Sequence, residues 1–106
     1  MVVGGRTHQA QVKVETRRQY AALNVRDDAS IVHLMQNAAA RSGRSFRTRS
    51  TGGGSDANVF AARGIEIANL GCGMREIHTV NEWIDLRDVL VTAELVLGAL
   101  RLNAET

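Results

Sequence analysis

From Gln11 to Arg17 the side chains alternate: Val12, Val14 and Thr16 on one side, Gln11, Lys13, Glu15 and Arg17 on the other. A period of two marks a half-buried strand with one solvated face. Such a strand needs a neighbour, because its row of backbone donors and acceptors must be satisfied. The residues before it, Met1 to Ala10, show no clear period and contain two glycines. No second strand is expected there. The sequence therefore carries a sheet element whose partner the adjacent residues do not supply.

Downstream the period changes. Tyr20 to Asp28 reads as a connector. Ile31, Leu34, Met35, Ala38 and Ala39 then fall at one-face helical spacing, which predicts a helix over Ser30 to Arg41. Asp28 or Ser30 can cap its start, and Gly43 stands where a left-handed residue would end it. Arg44 to Ser50 is a short extended segment anchored only by Phe46. After the Thr51 to Asp56 loop, Ala57 to Arg63 predicts a short helix ending at Gly64. Ile65 to Leu70 predicts a strand, and Gly71 to Asn81 a loop. Asp85 caps a last helix whose Leu86, Val89, Leu90, Ala93, Val96, Leu97 and Leu100 form one apolar stripe. Helices alternating with short strands imply an α/β arrangement, with helices on a parallel or mixed sheet. Two short strands make a poor sheet, so this half is expected to be part of a larger α/β layer.

With 106 residues the chain has room for one small domain. Its composition, 44% hydrophobic and 23% charged, argues against disorder. No apolar run is long enough to span a bilayer and no basic-then-apolar leader is present, so no membrane partner is expected. The single Cys72 cannot form an internal disulfide. That fits a reducing, cytoplasmic location. Charge is uneven. Residues 1–53 hold nine Lys or Arg against three acids, and residues 54–106 hold four Arg against eight acids. A basic half can mark a nucleic-acid surface or a solvated face. The arginines are not interleaved with aromatics and match no recognition motif, which favours the solvated face.

Two places are candidates for chemistry. The Gly52-Gly53-Gly54-Ser55-Asp56 loop precedes a helix start, where glycines allow close backbone approach and free N–H groups favour an anion. No Lys-Ser/Thr pair follows it, so it is not a Walker loop. A plain tight turn with Ser55 or Asp56 as cap is the simpler alternative. His78 lies in a loop after a predicted strand, where open α/β sheets bind ligands. Neutral imidazole is a common zinc ligand. No second His or Cys stands at ligand spacing, and the neighbouring acids are Glu76 and Glu82. By spacing alone such a histidine is more often a surface or hydrogen-bonding residue. His33 reads as a helix-flank residue, His8 as solvated, Cys72 as a small packed thiol, and Trp83 as packing against the start of the last helix.

At Thr51 to Leu86 the sequence reads TGGGSDANVFAARGIEIANLGCGMREIHTVNEWIDL. This closely resembles the C-terminal catalytic segment of peptidase T-like enzymes, within the aminoacylase and carboxypeptidase G type of zinc peptidases. The GGGSDAN loop, the ARGI-strand-NLG stretch and the GM-x-x-IHT-x-x-EW-I loop carry the resemblance, which continues into Leu86 to Leu100. Upstream, Val12 to Asp28 is similar to the closing strand of the family's lid domain and its return. The resemblance implies a C-terminal part of an α/β catalytic domain over residues 26–106. It implies a remnant of a lid, or dimerisation, domain over residues 1–25, with its closing strand at 11–17. It implies a site with two zinc ions, a bridging carboxylate and a glutamate general base acting on a peptide amide. His78 would ligate one zinc. Gly52, Gly53, Gly54, Ser55, Asp56 and Asn58 would line the substrate cleft.

The family's other metal ligands and its general base have no counterpart here: no His-x-Asp pair and no Glu-Glu pair occurs. The chain is therefore expected to act as the C-terminal portion of a zinc-dependent exopeptidase, inactive and not binding zinc tightly by itself. Its partners would be the N-terminal part of such an enzyme and a peptide substrate. Exposed apolar surface is expected, with self-association through the strand or the helix faces. The alternative is an independent small α/β module that binds an anionic partner such as nucleic acid through its basic half.

Overall fold

In the computed structural model, residues 9–106 are described together with the strands Val2–Val3 (β1) and Arg6–Thr7 (β2). These strands pair antiparallel, Val2 opposite Thr7 and Val3 opposite Arg6. Strand pairing before Gln11 is thus present, contrary to expectation, and it joins these two short strands to each other rather than to Gln11–Arg17. His8 lies outside the described residues.

Among the described residues three helices carry the rest of the regular structure: Ser30–Arg41 (α1), Asp56–Ala62 (α2) and Leu86–Ala104 (α3). α1 and α3 span the residues their periodicity predicts, and α2 lies one residue earlier than expected, with Ser55 and Asp85 capping α2 and α3 as predicted. Gly43 adopts φ 67° after α1, and the Gly43 and Arg44 N–H groups donate to Ala40 and Ala39. Gly64 adopts φ 84° after α2, with the Gly64 and Ile65 N–H groups donating to Ala61 and Phe60. Both are Schellman ends, in which a left-handed glycine lets orphan carbonyls find donors. Asp85 caps α3 by accepting from the Arg87 N–H at 2.8 Å.

The start of α1 differs from expectation. Neither Asp28 nor Ser30 caps it, and Ala29 is the N-cap residue. Asp28 is held instead by the Arg26 guanidinium at 2.8 and 3.0 Å. The free end of α1 is served from a distance. The Ile31 N–H and the Ser30 hydroxyl both donate to Glu66 Oε1, at 2.6 and 2.7 Å.

The predicted strands do not form. Gln11–Arg17, Arg44–Ser50 and Ile65–Leu70 carry no ladder, and the bridge Arg75–Trp83 is the isolated pairing among the described residues. Helices close their hydrogen bonds locally, whereas a strand exists only through a neighbour. The α/β character is thus present as three helices without the sheet they would cover.

α1 packs directly on α3. Small residues permit the close approach: Ala38, Ala39 and Ala99 are buried, and a Cβ added at Gly98 would meet that of Ala38 at 4.0 Å. At the rim Arg41 pairs with Glu105 and Arg44 with Glu94, each at 3.1 Å. These pairs are exposed and contribute little by themselves. Val32, Ala57 and the polar Asn58 complete the buried set among the described residues. No large side chain among the described residues is fully buried. The predicted stripe of α3 faces outward instead, with Leu86 75% and Leu90 64% exposed. Trp83, expected to pack the start of α3, is half exposed. The radius of gyration is 20.4 Å, against about 13 Å for a compact globule of this length. The exposed apolar surface read from the sequence is therefore present. No helix among the described residues is long and apolar enough to cross a membrane.

Candidate functional site

The glycine loop is fixed from its C-terminal end. Ser55 is the N-cap of α2, and its hydroxyl accepts the Ala57 N–H at 3.2 Å. Asn58 Oδ1 reciprocates by accepting the Ser55 N–H at 2.9 Å, which completes a capping box. Asn58 is 5% exposed, and its Nδ2 donates to the Ala21 carbonyl at 2.9 Å. Asn69 Nδ2 donates to Ser55 Oγ at 2.8 Å, so the following segment is tied to the same point. Asn58 thus uses both its amide oxygen and its amide nitrogen inside the protein. Its role here is to hold the loop, while Gly52, Gly53, Gly54, Ser55 and Asp56 lie exposed.

Gly52 and Gly53 have open space where a Cβ would stand. Gly54 does not: a Cβ there would overlap the hydroxyl and ring of Tyr20. The connector therefore crosses the loop at a point where only glycine fits without displacing it. Tyr20, Ala21 and Asn69 are parts of this site that spacing did not mark. For Ser55 and Asn58 the three-residue interval was a usable signal, since it matches a capping box with Asn in place of Glu or Gln.

His78 occupies a second loop, shaped independently of the first. The Arg75 and Trp83 backbones exchange hydrogen bonds at 2.9 and 3.2 Å, closing the segment between them. The Arg75 guanidinium lies 5.2 Å from the Trp83 ring centroid, a cation–π contact that reinforces the closure. Inside it, Glu76 and His78 both have positive φ, 50° and 66°. Non-glycine residues hold that conformation only when neighbours fix it. Thr79 does so: its hydroxyl donates to the Glu76 carbonyl at 2.7 Å and accepts the Asn81 N–H at 3.2 Å. At the loop's origin Gly73 has φ 90°, and a Cβ there would stand 2.6 Å from Asp88 Oδ2 in the first turn of α3.

His78 is exposed at this turn. Among the described residues no three His, Cys, Asp or Glu side chains come together as a metal site. The donor chemistry fits one position of a zinc coordination sphere and not a set of four. A cleft of about 340 Å³ lies elsewhere, lined by Leu23, Val25, Ala61, Ile65 and Ile67 among others, and contains none of the candidate site residues.

Residues 2–102 match the family model described as peptidase family M20/M25/M40. The sequence is 38% identical over 98 residues to YqjE of Bacillus subtilis (strain 168), an uncharacterized protein, a match covering 92% of this chain and 25% of that protein. It is also similar to the crystal structure of aminopeptidase PepT from Bacillus cereus ATCC 10987, with a TM-score of 0.74 and 40% sequence identity. That match covers 80% of this chain and 23% of PepT. The chain spans about a quarter of the length of these relatives.

Proposed function

The chain belongs to the M20/M25/M40 peptidase family and is peptidase T-like, and from that premise we propose that it supplies one zinc ligand and a substrate loop to an exopeptidase site completed by residues outside it. The carrying observation is the turn around His78. Its left-handed backbone, held by Thr79 and by the Arg75–Trp83 closure, presents the imidazole outward on a fixed stem. Fixing a ligand's direction before metal binds is what a coordination site requires of its protein.

Enzymes of this family are generally metal-dependent. Zinc held by His78 and by ligands from the remainder of the domain would activate water and polarise the scissile carbonyl. This chain's own residues do the rest of what is assigned here. His78 donates one lone pair. The exposed Gly52 to Gly54 stretch of the Gly52 to Asp56 loop offers its backbone N–H groups to a substrate carboxylate, while Ser55 and Asn58 use theirs in the capping box and hold the loop together with Ala21. The general base and further ligands come from elsewhere, so the chain alone is inactive and holds zinc weakly. Residues 26–106 belong to the catalytic domain in this reading, and residues 1–25 to the closing segment of a lid. The isolated chain self-associates through its exposed apolar surface. The basic half does not favour the nucleic-acid alternative: Lys13, Arg26, Arg41 and Arg44 each pair with an acid.

The test is a graft. This chain replaces the matching segment of Bacillus cereus PepT, and metal content and peptide hydrolysis are measured. The graft should hydrolyse a small peptide in a metal-dependent way. His78→Ala should remove bound zinc and cut activity by more than the roughly 10–100-fold typical of outer supporting residues. Full activity and metal content in the His78→Ala graft would overturn the assignment.

A further inference from the structure

Two segments meet at Gly54. The connector brings Tyr20, whose hydroxyl and ring fill the space a Cβ at Gly54 would need. Before the glycines, the Thr48 hydroxyl donates to Asp27 Oδ1 at 2.7 Å. After them, Asn58 Nδ2 donates to the Ala21 carbonyl at 2.9 Å. The connector and the glycine loop are thus fastened together on both sides of Gly54. Tyr20 is 47% exposed, yet its place beside the loop is set by contacts on either side of it.

The chemistry at this junction suits an anion. Among the described residues no backbone hydrogen bond engages the Gly52, Gly53 and Gly54 N–H groups. The phenol adds an O–H donor and no charge at neutral pH. Donors side by side on an open loop make an anion-binding surface. The start of α2 is the poorer place for one. Its first turn carries Asp56, and the Ser55 hydroxyl and Asn58 side chain already serve as caps. Arginines add to the contrast. Arg17 and Arg18 precede Tyr20, Arg47 and Arg49 precede the glycines, and all four are exposed. Their field draws anions to the side where the two segments meet.

We propose that the Tyr20 hydroxyl is a substrate-binding group. It donates to the same carboxylate as the glycine-loop amides and so selects peptides with a free C-terminal carboxylate over their amides. This rests on the loop's role in the reading above. The phenol stands in the connector, apart from the His78 loop, so it acts on substrate affinity and leaves the attack of water unchanged. Its removal therefore raises KM and spares kcat.

The test is a titration of the 106-residue chain with trialanine and with trialanine amide, read at the Gly52, Gly53 and Gly54 amide resonances. Trialanine should shift them saturably, and the amide should bind about tenfold more weakly or worse. Tyr20→Phe keeps the ring on Gly54 and removes the donor. It should weaken trialanine binding about tenfold, as expected for a hydrogen bond to a charged group, while the Asn58 side-chain resonances stay in place. In the PepT graft the same variant should raise KM for trialanine about tenfold with kcat nearly unchanged. Equal affinity of parent and Tyr20→Phe, equal affinity for trialanine and its amide, or loop amides that show no saturable response would each overturn the inference. Hydrolysis by the graft separates the two readings. Tyr20-dependent binding without hydrolysis removes the peptidase assignment alone. Hydrolysis with a KM indifferent to Tyr20→Phe removes this inference alone.

Discussion

The α1–α3 pair and the segments Gln11–Arg17 and Ile65–Leu70 respond differently to the same condition. The helices satisfy their backbone groups locally and need only small side chains, Ala38, Ala39, Gly98 and Ala99, to pack together. The two alternating or apolar segments have suitable sequence and form no ladder. A strand draws its hydrogen bonds from another part of the chain, and here that part is not present among the described residues. The difference separates what this sequence can build by itself from what it can only contribute.

The largest effect should come from overfilling the helix contact. Ala39 is 1% exposed against α3, and Ala39→Phe should cost about 1–3 kcal/mol or more, seen as faster amide exchange throughout α1 and α3. Next is Gly73→Ala, where φ 90° and the Asp88 side chain leave no room. A loss of roughly 1–2 kcal/mol is expected from the backbone alone, read as local exchange at Arg75 and Trp83. Asn58→Ala should cost about 1–2 kcal/mol by stranding the Ser55 N–H and the Ala21 carbonyl, loosening the glycine loop without disturbing α3.

A smaller, pH-dependent effect is expected at Glu66. Hydrogen bonds from Ser30 and Ile31 hold its carboxyl below the ordinary glutamate range. Folding lowers this pKa, so the contribution is complete above the ordinary value, about 4.3, and is lost as pH falls through the lowered one. Exchange at the first turn of α1 should therefore quicken on acidification, and Glu66→Gln should weaken the same turn at neutral pH. Smallest of all is Val14→Lys, in a segment without a ladder: a change within about 0.5 kcal/mol. A loss as large as that of Ala39→Phe would show that the segment has a partner after all, and would erase the contrast between the two regions.

Legibility in the sequence followed the same division. Gly43, Gly64 and Asp85 mark helix ends by local chemistry, and the structure uses each of them that way. The acceptor at the α1 start is not legible locally, because Glu66 lies 35 residues from Ile31 in sequence, beyond any local rule. Alternation at Val12–Thr16 reports a tendency that only a neighbour can realise. The stripe on α3 was visible, but its orientation was not, because a second apolar face on the same helix faces α1. At the candidate site, spacing alone left His78 a weak metal candidate. The motif around it carries the family resemblance, and the Thr79 turn fixes the backbone beside it, a contact that spacing does not show. The closure of Gly54 by Tyr20 left no trace in the sequence, since contact across 34 positions has no local period.

Zinc titration of the 106-residue chain and its His78→Ala variant bears most directly on whether His78 is one ligand of a site finished elsewhere. Cobalt absorption would serve as a second reporter of coordination. Weak binding without a tetrahedral cobalt spectrum is expected for the chain alone, rising to tight, His78-dependent binding in the PepT graft. A stoichiometric tetrahedral site in the isolated chain, abolished by His78→Ala, would contradict it.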